Sequence, residues 1–307
     1  MSERWMRAGG RTGARVAGRV GGRCAWLAFG RVAGLVALGL CGMGASAGWA
    51  GGRLLATDGA TQIEGSAGGG LVPWAVITGT GTEDQIGGSA FATGVFVDDY
   101  TLASFGIGVG LYDRVELSFA HQRFEVRPLD ETLEQNVFGL KVRAFGDLVY
   151  GSLPVVSVGA QAKHNLDFDL PRAVGADDDW GIDVYVSATK LFLDVVAGRN
   201  VLLNGTVRAT RANQIGLLGF GGDDRGEYGV VFEGSAAIFL TRRIALGYEF
   251  RQKRRNLSFA DEDPWQDVFL AIVPNKHFKV VASYARLGQI AGFGNQDGAY
   301  LSIQGSF

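Results

Sequence analysis

Cysteine is almost absent from this chain of 307 residues, since only Cys24 and Cys41 occur, both near the N-terminus. Residues 48–307 contain none, which excludes a disulfide framework or a thiolate zinc site there. Charged residues make up 20% of the chain, below the roughly 25% of an ordinary soluble domain. Glycine is abundant at 48 residues, but it lacks the three-residue period of collagen.

The body of the chain also lacks a basic run and a long apolar run. The net charge of −2 conceals two unlike parts of the chain. Residues 1–47 carry seven arginines and one glutamate, whereas the rest of the chain carries 22 basic and 30 acidic residues. Proteins that bind nucleic acids carry basic patches, so the acidic body argues against a nucleic-acid partner. After residue 47 no apolar run is long enough for a membrane-spanning helix.

The N-terminus has the order of a secretory signal. An arginine-rich stretch precedes the apolar run 32–40, and Ala45-Ser46-Ala47 then supplies small residues for cleavage. The sequence therefore predicts a cleavable signal peptide at residues 1–47, with cleavage after Ala50 as the second choice and a start codon further in as an alternative. A helical anchor is disfavoured because the apolar run is short and rich in glycine.

From residue 70 onwards, segments of alternating apolar and polar residues recur between turn residues. In segment 113–124, Val115 and Leu117 share one face, while Glu116 and Ser118 share the other. Similar segments cover residues 135–146, 153–168, 180–192, 201–210, 228–240, 244–253 and 276–286. These segments exceed the roughly 5–6 residues of a typical strand and reach the roughly 9–11 residues with which a tilted strand crosses a membrane.

Short and long connections separate the segments. Residues 111–114, 240–243 and 273–277 are short connections, 147–152 and 193–199 are slightly longer, and 126–134, 169–179, 213–227, 255–266 and 287–297 are long. This pattern predicts an all-β protein, a transmembrane antiparallel up-and-down β-barrel with short periplasmic turns and longer extracellular loops.

The number of strands depends on the N-terminal part of the mature chain. About thirteen candidate strands follow residue 70, whereas single-chain bacterial barrels have an even number. Twelve strands result if segment 70–78 is a plug or lid, and fourteen if residues 60–67 add a strand; we prefer twelve. Residues 48–78 are thus an N-terminal segment, either a plug or the first strands, and residues 79–307 form the barrel.

The C-terminal segment 299–307 alternates and ends in Phe307. A terminal aromatic residue after an alternating strand is typical of the signal that the outer-membrane barrel assembly machinery reads, so we expect that machinery as a partner. Outer-membrane lipid and lipopolysaccharide are the other expected partners. The acidic clusters 177–179, 223–224 and 261–263 lie in long loops, either as solvated surface or as sites for divalent cations that bridge lipopolysaccharide phosphates.

Residues 68–75 (GGGLVPWA) and 110–118 (GLYDRVELS) carry a resemblance to a known family. They are similar to a family of proteobacterial proteins of about this length, classed as a domain of unknown function, and the similarity spans essentially the whole mature chain. More distantly, the chain resembles outer-membrane proteins of phenol-degradation pathways. The resemblance implies a barrel in the cell outer membrane and brings no established activity and no functional residues.

The residues of catalytic sites are sparse. The three histidines, His121, His164 and His277, are far apart in sequence and none has a serine two positions later, as the His-x-Ser pair of outer-membrane phospholipases requires. The glycine-rich stretches lack the Lys-Ser/Thr of a phosphate loop. We therefore expect no enzyme, no cofactor and no metal site.

The lumen face is the remaining candidate for function. The alternation points seven basic and four acidic side chains inward: Glu116, Lys141, Arg143, Lys163, Asp183, Arg208, Glu233, Glu249, Arg251, Lys253 and Lys279. This lining predicts a passive or weakly anion-selective channel for small solutes. The alternative is a non-conducting barrel whose interior charges pair with one another and whose acidic loops bind envelope components.

Aromatic residues fall near the segment ends, which is typical of the girdles at membrane interfaces. The predicted girdle residues are Trp74, Tyr100, Tyr112, Phe124, Tyr150, Phe168, Trp180, Phe192, Tyr228, Phe239, Trp265, Phe278 and Tyr300.

Overall fold

Twelve long antiparallel strands dominate the computed structural model, which describes residues 55–307. The predicted signal peptide at residues 1–47 lies outside the described residues. The strands are β3 (Ile86–Val97), β4 (Tyr100–Leu111), β5 (Val115–Val126), β6 (Glu131–Phe145), β7 (Val155–Asn165), β8 (Trp180–Val196), β9 (Arg199–Thr210), β10 (Gly229–Thr241), β11 (Ile244–Arg251), β12 (Trp265–Asn275), β13 (Phe278–Arg286) and β14 (Asp297–Ser306). A short ladder of β1 (Ala60–Thr61) and β2 (Ala67–Gly68) precedes them, and a helix α1 (Asp169–Ala173) follows β7.

The strands close into a barrel in chain order. Each strand pairs with its sequence neighbours, and β14 returns to β3 with Leu301 opposite Gly94. Beyond β14, the Phe307 amide and carbonyl both bond to the backbone of Gly88, at 2.9 and 2.7 Å. The predicted up-and-down barrel of twelve strands is confirmed, and the fourteen-strand alternative is wrong because β1 and β2 pair only with each other.

Side chains of the strands alternate between the two surfaces of the barrel wall. On β8, Ile182, Val184 and Val186 are about half exposed on the outside, whereas Asp183 and Ser187 are buried inside. Exposed apolar side chains on other strands include Leu117, Phe138, Leu140, Val158, Leu203, Val207, Val230, Phe232, Leu246, Val268 and Tyr284. The period of two in the sequence therefore separates an apolar outer face from a polar inner face.

Connections of different length lie at the two ends of the barrel. The short-turn end carries residues 112–114, 146–154, 197–198, 242–243 and 276–277, and the long-loop end carries 98–99, 127–130, 166–179, 211–228, 252–264 and 287–296. Residues 126–134 form a shorter connection than predicted, because β6 already begins at Glu131. The first residues of β6 include polar side chains on the outer face, such as Glu134, which lies 3.6 Å from Arg123. These residues interrupt the apolar–polar alternation, so the sequence does not reveal where β6 begins.

The lumen is filled by residues 55–81, which we call the plug. The plug enters at the short-turn end, where Asp58 meets Lys279, and reaches deep into the barrel, where the Ile63 carbonyl accepts a hydrogen bond from Ser104 at 2.7 Å. It then returns to the short-turn end, where the Thr78 hydroxyl contacts that of Ser89 at 2.7 Å. Both arms of the plug therefore leave the lumen at the same end.

Five of the predicted girdle residues are buried inside the barrel, and a sixth, Phe239, also lies on the inward face of its strand, β10. Trp74, Tyr100, Phe124, Trp265 and Tyr300 are each at most 7% exposed, so the girdle prediction is wrong for them. Trp74 belongs to the plug, and the other four lie on inward-facing strand positions, where Tyr100 and Phe124 stack with ring centroids 4.9 Å apart. The physical reason is that the plug offers an apolar surface inside the lumen, against which these rings pack.

Among residues 55–307, no helix has the length and apolar character needed to cross a membrane.

Candidate functional site

The plug–wall interface inside the lumen gathers most of the charged residues that the sequence points inward. Seven of the eleven contact the plug directly: Glu116, Lys141, Lys163, Arg208, Glu249, Arg251 and Lys279. Asp183 and Glu233 contact wall cations instead. Arg143 bonds to Asp113 and to the Gly146 carbonyl at the short-turn end, away from the plug.

Lys253 lies beyond the end of β11, at the long-loop end of the barrel. Its ammonium binds the Glu262 carboxylate at 2.7 Å within the same connection. Burial lowers the pKa of Lys253, while the charge of Glu262 opposes that shift. Lys253 therefore helps to cover the long-loop end instead of contacting the plug.

Glu64 of the plug lies at the middle of the largest ionic cluster. Its carboxylate receives Lys163 on one oxygen, and Arg251 at 2.7 Å and Arg208 at 3.6 Å on the other. These three cations stand on β7, β9 and β11, and Glu64 is fully buried. No sequence pattern marks Glu64, because it lies in a segment without periodic alternation.

Two wall carboxylates hold the same cations from the other side. Asp183 binds Lys163 at 2.6 Å and Arg208 at 3.3 Å. Glu233 binds Arg208 at 2.6 Å and lies 3.6 Å from Arg251. Together with Glu64 these residues form what we call the central cluster: Glu64, Lys163, Asp183, Arg208, Glu233 and Arg251. Three positive and three negative charges balance in it, as burial of ionised groups requires.

A second group of contacts, around the ion pair of Glu116 and Lys141, holds the plug closer to the short-turn end than the central cluster does. Lys141 lies 3.1 Å from Glu116 and donates to the carbonyls of Ala67, Trp74 and Val76 at 2.8–3.1 Å. Glu116 accepts the amides of Ala67 at 3.0 Å and of Thr78 at 2.8 Å. Backbone groups of an irregular buried segment need such partners, since it has no ladder of its own.

The glycine-rich stretch of the plug is bonded to Glu249. That carboxylate accepts the amides of Gly70 at 2.6 Å and Leu71 at 2.7 Å, and the Ser235 hydroxyl at 2.7 Å. A Cβ on Gly69 would lie 2.0 Å from the carboxylate, so glycine is required for this close approach. Segment 68–75, one of the two that carry the family resemblance, therefore binds to the lumen wall.

Small wall hydroxyls and amides complete the contacts of the plug. The Pro73 carbonyl accepts from Thr206 at 2.9 Å and from Ser187 at 3.3 Å, and the Ala75 amide donates to Thr189 at 2.8 Å. The sequence does not single out these residues, because small polar side chains are ordinary on a lumen face and carry no distinguishing pattern.

The long-loop end is covered by residues 214–218. The Ile215 carbonyl accepts hydrogen bonds from Lys163 at 3.1 Å and Gln135 at 3.2 Å, and the Leu217 carbonyl accepts one from Asn165 at 2.7 Å. Ile215 has a φ of 61°, a strained conformation for a β-branched residue. Lys163 thus binds both the plug and this covering segment.

The short-turn end opens into a vestibule of about 650 Å³. Apolar residues such as Leu148, Leu191 and Phe239 line it together with Arg242 and the first plug residues.

The three histidines have structural contacts. The ring of His121 lies 2.9 Å from Asn136, the ring of His164 stacks on Trp180 with centroids 4.4 Å apart, and the ring of His277 lies 2.9 Å from the Ser306 carbonyl. Within residues 55–307, no three histidine, cysteine, aspartate or glutamate side chains are grouped as a metal site would require.

Comparison with known proteins identifies a family. The profile of the family described as protein of unknown function (DUF3034) matches residues 57–304, so the chain belongs to that family, and the predicted family resemblance is confirmed. No curated protein matches the chain.

Several solved outer-membrane proteins have similar folds. A KdgM porin shares 11% identity over 71% of this chain and 99% of its own, with a TM-score of 0.45. A NanC porin shares 11% over 71% and 98%, with a TM-score of 0.46. An outer membrane channel from Pseudomonas putida F1 shares 12% over 77% and 96%, with a TM-score of 0.40. Similarity at this level carries no argument about what the chain does.

Proposed function

Since the family to which the chain belongs has no assigned function, we propose one from the geometry: an outer-membrane channel for small solutes that the plug closes. The observation that carries the proposal is the contrast between a polar, charged lumen wall and the separate segment that fills it. In this conformation the passage is closed, and solutes cross when the plug moves.

The apolar outer face supports the membrane placement. Side chains such as Val158, Val186 and Val207 lie next to one another on three strands and are each about 45% exposed. A continuous apolar band would be unfavourable in water and is favourable against lipid. The short-turn end, with both chain ends of the barrel, would face the periplasm, and the long-loop end the exterior.

The polar inner face supports a channel over a solid barrel. A barrel of eight strands is about filled by its own side chains, whereas a larger one leaves space along the axis. Here twelve strands present short polar residues such as Ser157, Ser187 and Thr206 to that space, and the plug fills it. Withdrawal of the plug, together with displacement of the covering residues 214–218, would leave a hydrophilic passage that water can wet.

The course of the plug is compatible with withdrawal. Because both of its arms lie at the short-turn end, the plug can leave without threading a chain end through the barrel. Ion pairs and hydrogen bonds provide many of its contacts, and buried ion pairs contribute little net stability against a hydrated alternative. The charge of the lining differs from the predicted charge, because Lys253 lies beyond β11 and Asp267 of β12 is a buried inward-facing carboxylate that the prediction omitted. With Arg143 included, six basic residues face five acidic ones along the wall, so the open state would favour anions only weakly.

Closure at both ends favours a second candidate function. Residues 214–218 cover the plug from the long-loop end while the plug itself fills the rest, as a permanently closed barrel would require. Such a barrel would act through its acidic loops, by binding lipopolysaccharide or another envelope component.

Planar-bilayer recording with two matched variants distinguishes these functions. Lys141 and Arg143 lie on the same face of β6, but only Lys141 binds the plug. Refolded residues 48–307 should show rare ohmic openings with an anion-leaning reversal potential in a KCl gradient. Lys141→Met should raise the open probability several-fold, while Arg143→Met should leave it near that of the unmodified chain. A folded, heat-modifiable barrel that stays silent in all three forms would contradict the channel and leave the closed barrel.

A further inference from the structure

The central cluster has the composition of an anion-binding site whose ligand is part of the chain. We propose that Lys163, Arg208 and Arg251 form a binding site for small monocarboxylates, which the Glu64 carboxylate occupies while the plug is in place. The ligand class follows from the charge and the donor geometry of the wall residues.

The charge balance of the wall requires an anion at this point. Lys163, Arg208 and Arg251 supply three positive charges, and Asp183 and Glu233 supply two negative charges within 3.6 Å of them. The wall therefore carries one uncompensated positive charge when Glu64 is removed. An unpaired charge at a buried site is strongly unfavourable, so a monoanion is the ligand that restores neutrality.

The wall holds two of the three cations, Arg208 and Lys163, in position independently of the plug. Arg208 donates to Glu233 and Gln161, both at 2.6 Å, and its guanidinium stacks over the Tyr185 ring at 5.1 Å. Lys163 is fixed by Asp183 at 2.6 Å. None of these contacts involves Glu64, so Arg208 and Lys163 are preorganised for a new ligand. Arg251 is held by the Leu71 carbonyl of the plug at 3.1 Å and lies 3.6 Å from Glu233, so its position depends on a plug residue other than Glu64.

The donors fit a carboxylate. Lys163 addresses one oxygen of Glu64, whereas Arg251 and Arg208 address the other at 2.7 and 3.6 Å. A planar group with two oxygens and one negative charge therefore satisfies all three cations at once. A dianion such as hydrogen phosphate would overcompensate the single excess charge.

Chemical rescue of a cavity variant tests the site. Glu64→Ala removes the carboxylate and leaves room for a ligand, whereas Glu64→Gln removes the charge and keeps the volume filled. With the refolded chain 48–307 in detergent, both variants should unfold at lower urea concentration. Formate should raise the unfolding midpoint of Glu64→Ala in proportion to the logarithm of its concentration, and leave Glu64→Gln unchanged.

Neutral and anionic controls make the result specific. Formamide, which has the shape of formate without its charge, should not rescue Glu64→Ala, and chloride at equal ionic strength should rescue it far less. If Glu64→Ala refolds poorly, the refolding yield with formate against formamide is the readout. Equal effects of formate, formamide and chloride would overturn the proposal.

A role of this site in transport rests on the proposed channel. If the channel conducts, formate should compete with Glu64 and raise the open probability of the unmodified chain above that in chloride. If formate stabilises Glu64→Ala in detergent but the unmodified chain shows no conductance, the carboxylate site is supported and the channel is contradicted. Conductance without rescue would leave the channel standing and contradict the site.

Discussion

Glu116 and Lys141 face each other across β5 and β6, 3.1 Å apart, and both bind the same stretch of the plug. The Glu116 carboxylate accepts hydrogen bonds from backbone amides of the plug, and the Lys141 ammonium donates hydrogen bonds to its backbone carbonyls. The pair therefore satisfies both the donors and the acceptors of this part of the plug backbone. Both side chains are almost fully buried. A pair that binds a separate segment in this way couples the charge state of the wall to the position of the plug.

Removing both members of this pair should cost less than the sum of the two single removals. Glu116→Gln leaves the Lys141 ammonium buried without its counter-charge, and Lys141→Met leaves the carboxylate in the same state. Each should destabilise the barrel by about 3–5 kcal/mol, the usual cost of breaking a buried ion pair. The double variant should lose less than the sum of the two. Urea unfolding in detergent measures the three free energies, and strict additivity would show that the pair is not coupled.

An engineered disulfide between plug and wall should keep the channel closed. Thr78 and Ser89 have hydroxyl oxygens 2.7 Å apart, so a cysteine at each position can form a disulfide without large movement. Residues 48–307 contain no cysteine that could compete. Oxidised Thr78→Cys/Ser89→Cys should show fewer openings in bilayers, and a reductant should restore them.

A wall–wall disulfide provides the matched control. Thr93 and Ser302 lie on β3 and β14 with their hydroxyl oxygens also 2.7 Å apart, and neither residue belongs to the plug. Oxidised Thr93→Cys/Ser302→Cys should open as often as the unmodified chain. Loss of openings in both oxidised variants would mean that the crosslinks act on the wall and not on the plug.

A charge on the outer face should destabilise the barrel according to its depth in the membrane. Val186 lies between Val158 and Val207 on neighbouring strands, whereas Leu153 lies in the connection at the short-turn end. In phospholipid vesicles, Val186→Arg should lower the free energy of unfolding by about 2–4 kcal/mol and Leu153→Arg by at most about 1 kcal/mol. Equal losses for the two variants would argue against the proposed placement of the membrane.

Phe307 should matter more for assembly in cells than for stability in solution. Phe307→Ala keeps both backbone hydrogen bonds with Gly88, so the refolded variant should unfold at nearly the same urea concentration as the unmodified chain. In cells, the amount of heat-modifiable barrel in the outer membrane should fall, because the proposed signal for the assembly machinery is lost. Phe307→Tyr keeps an aromatic ring and should assemble normally. Normal assembly of Phe307→Ala would rule out the signal.

The contact between two long loops should depend on pH through Asp223. The side-chain hydroxyl and then the amide of Ser258 donate to its carboxylate, and these bonds hold the pKa of Asp223 below its ordinary value of about 4. The stabilisation is therefore fully present above pH of about 4 and is lost as pH falls through the lower pKa of the folded state.

Hydrogen exchange of the connection 252–264 measures this effect. After correction for the intrinsic rates, exchange at Ser258 should accelerate as the pH falls below about 4. Asp223→Asn should exchange rapidly at every pH, since an amide oxygen is a weaker acceptor than a carboxylate. A pH dependence that persists in Asp223→Asn would assign the titration to another group.

Predicting this fold from sequence succeeds where the signal is local. Alternation along β8 separates Val184 and Val186 on the outside from Asp183 on the inside, because successive side chains of a strand point to opposite faces. The closed antiparallel order then follows from strands in sequence joined by short turns and longer loops. The alternation does not reveal the start of β6, because Glu134 lies near a rim, where a charged residue is tolerated on the outer face.

The contents of the lumen could not be read in the same way. Trp74 and Tyr100 are of residue types that are common at membrane interfaces, yet both lie inside the barrel. Trp74 is itself part of the plug, and Tyr100 belongs to the apolar cluster that plug and wall form together. Glu64 and Lys163 are 99 positions apart in the sequence, and Arg208 and Arg251 are still further from Glu64.

The sequence by itself determined the barrel and the polarity of its two surfaces, because these depend on a period of two and on connection lengths. It left twelve or fourteen strands open, and the structure decided for twelve because β1 and β2 pair only with each other. Only the tertiary structure decided that the lumen is filled by the plug and that Glu64 balances the wall cations. Such contacts depend on how deep an aperiodic segment reaches and on the level at which each strand presents its side chain. Both are consequences of barrel closure, which no local pattern records.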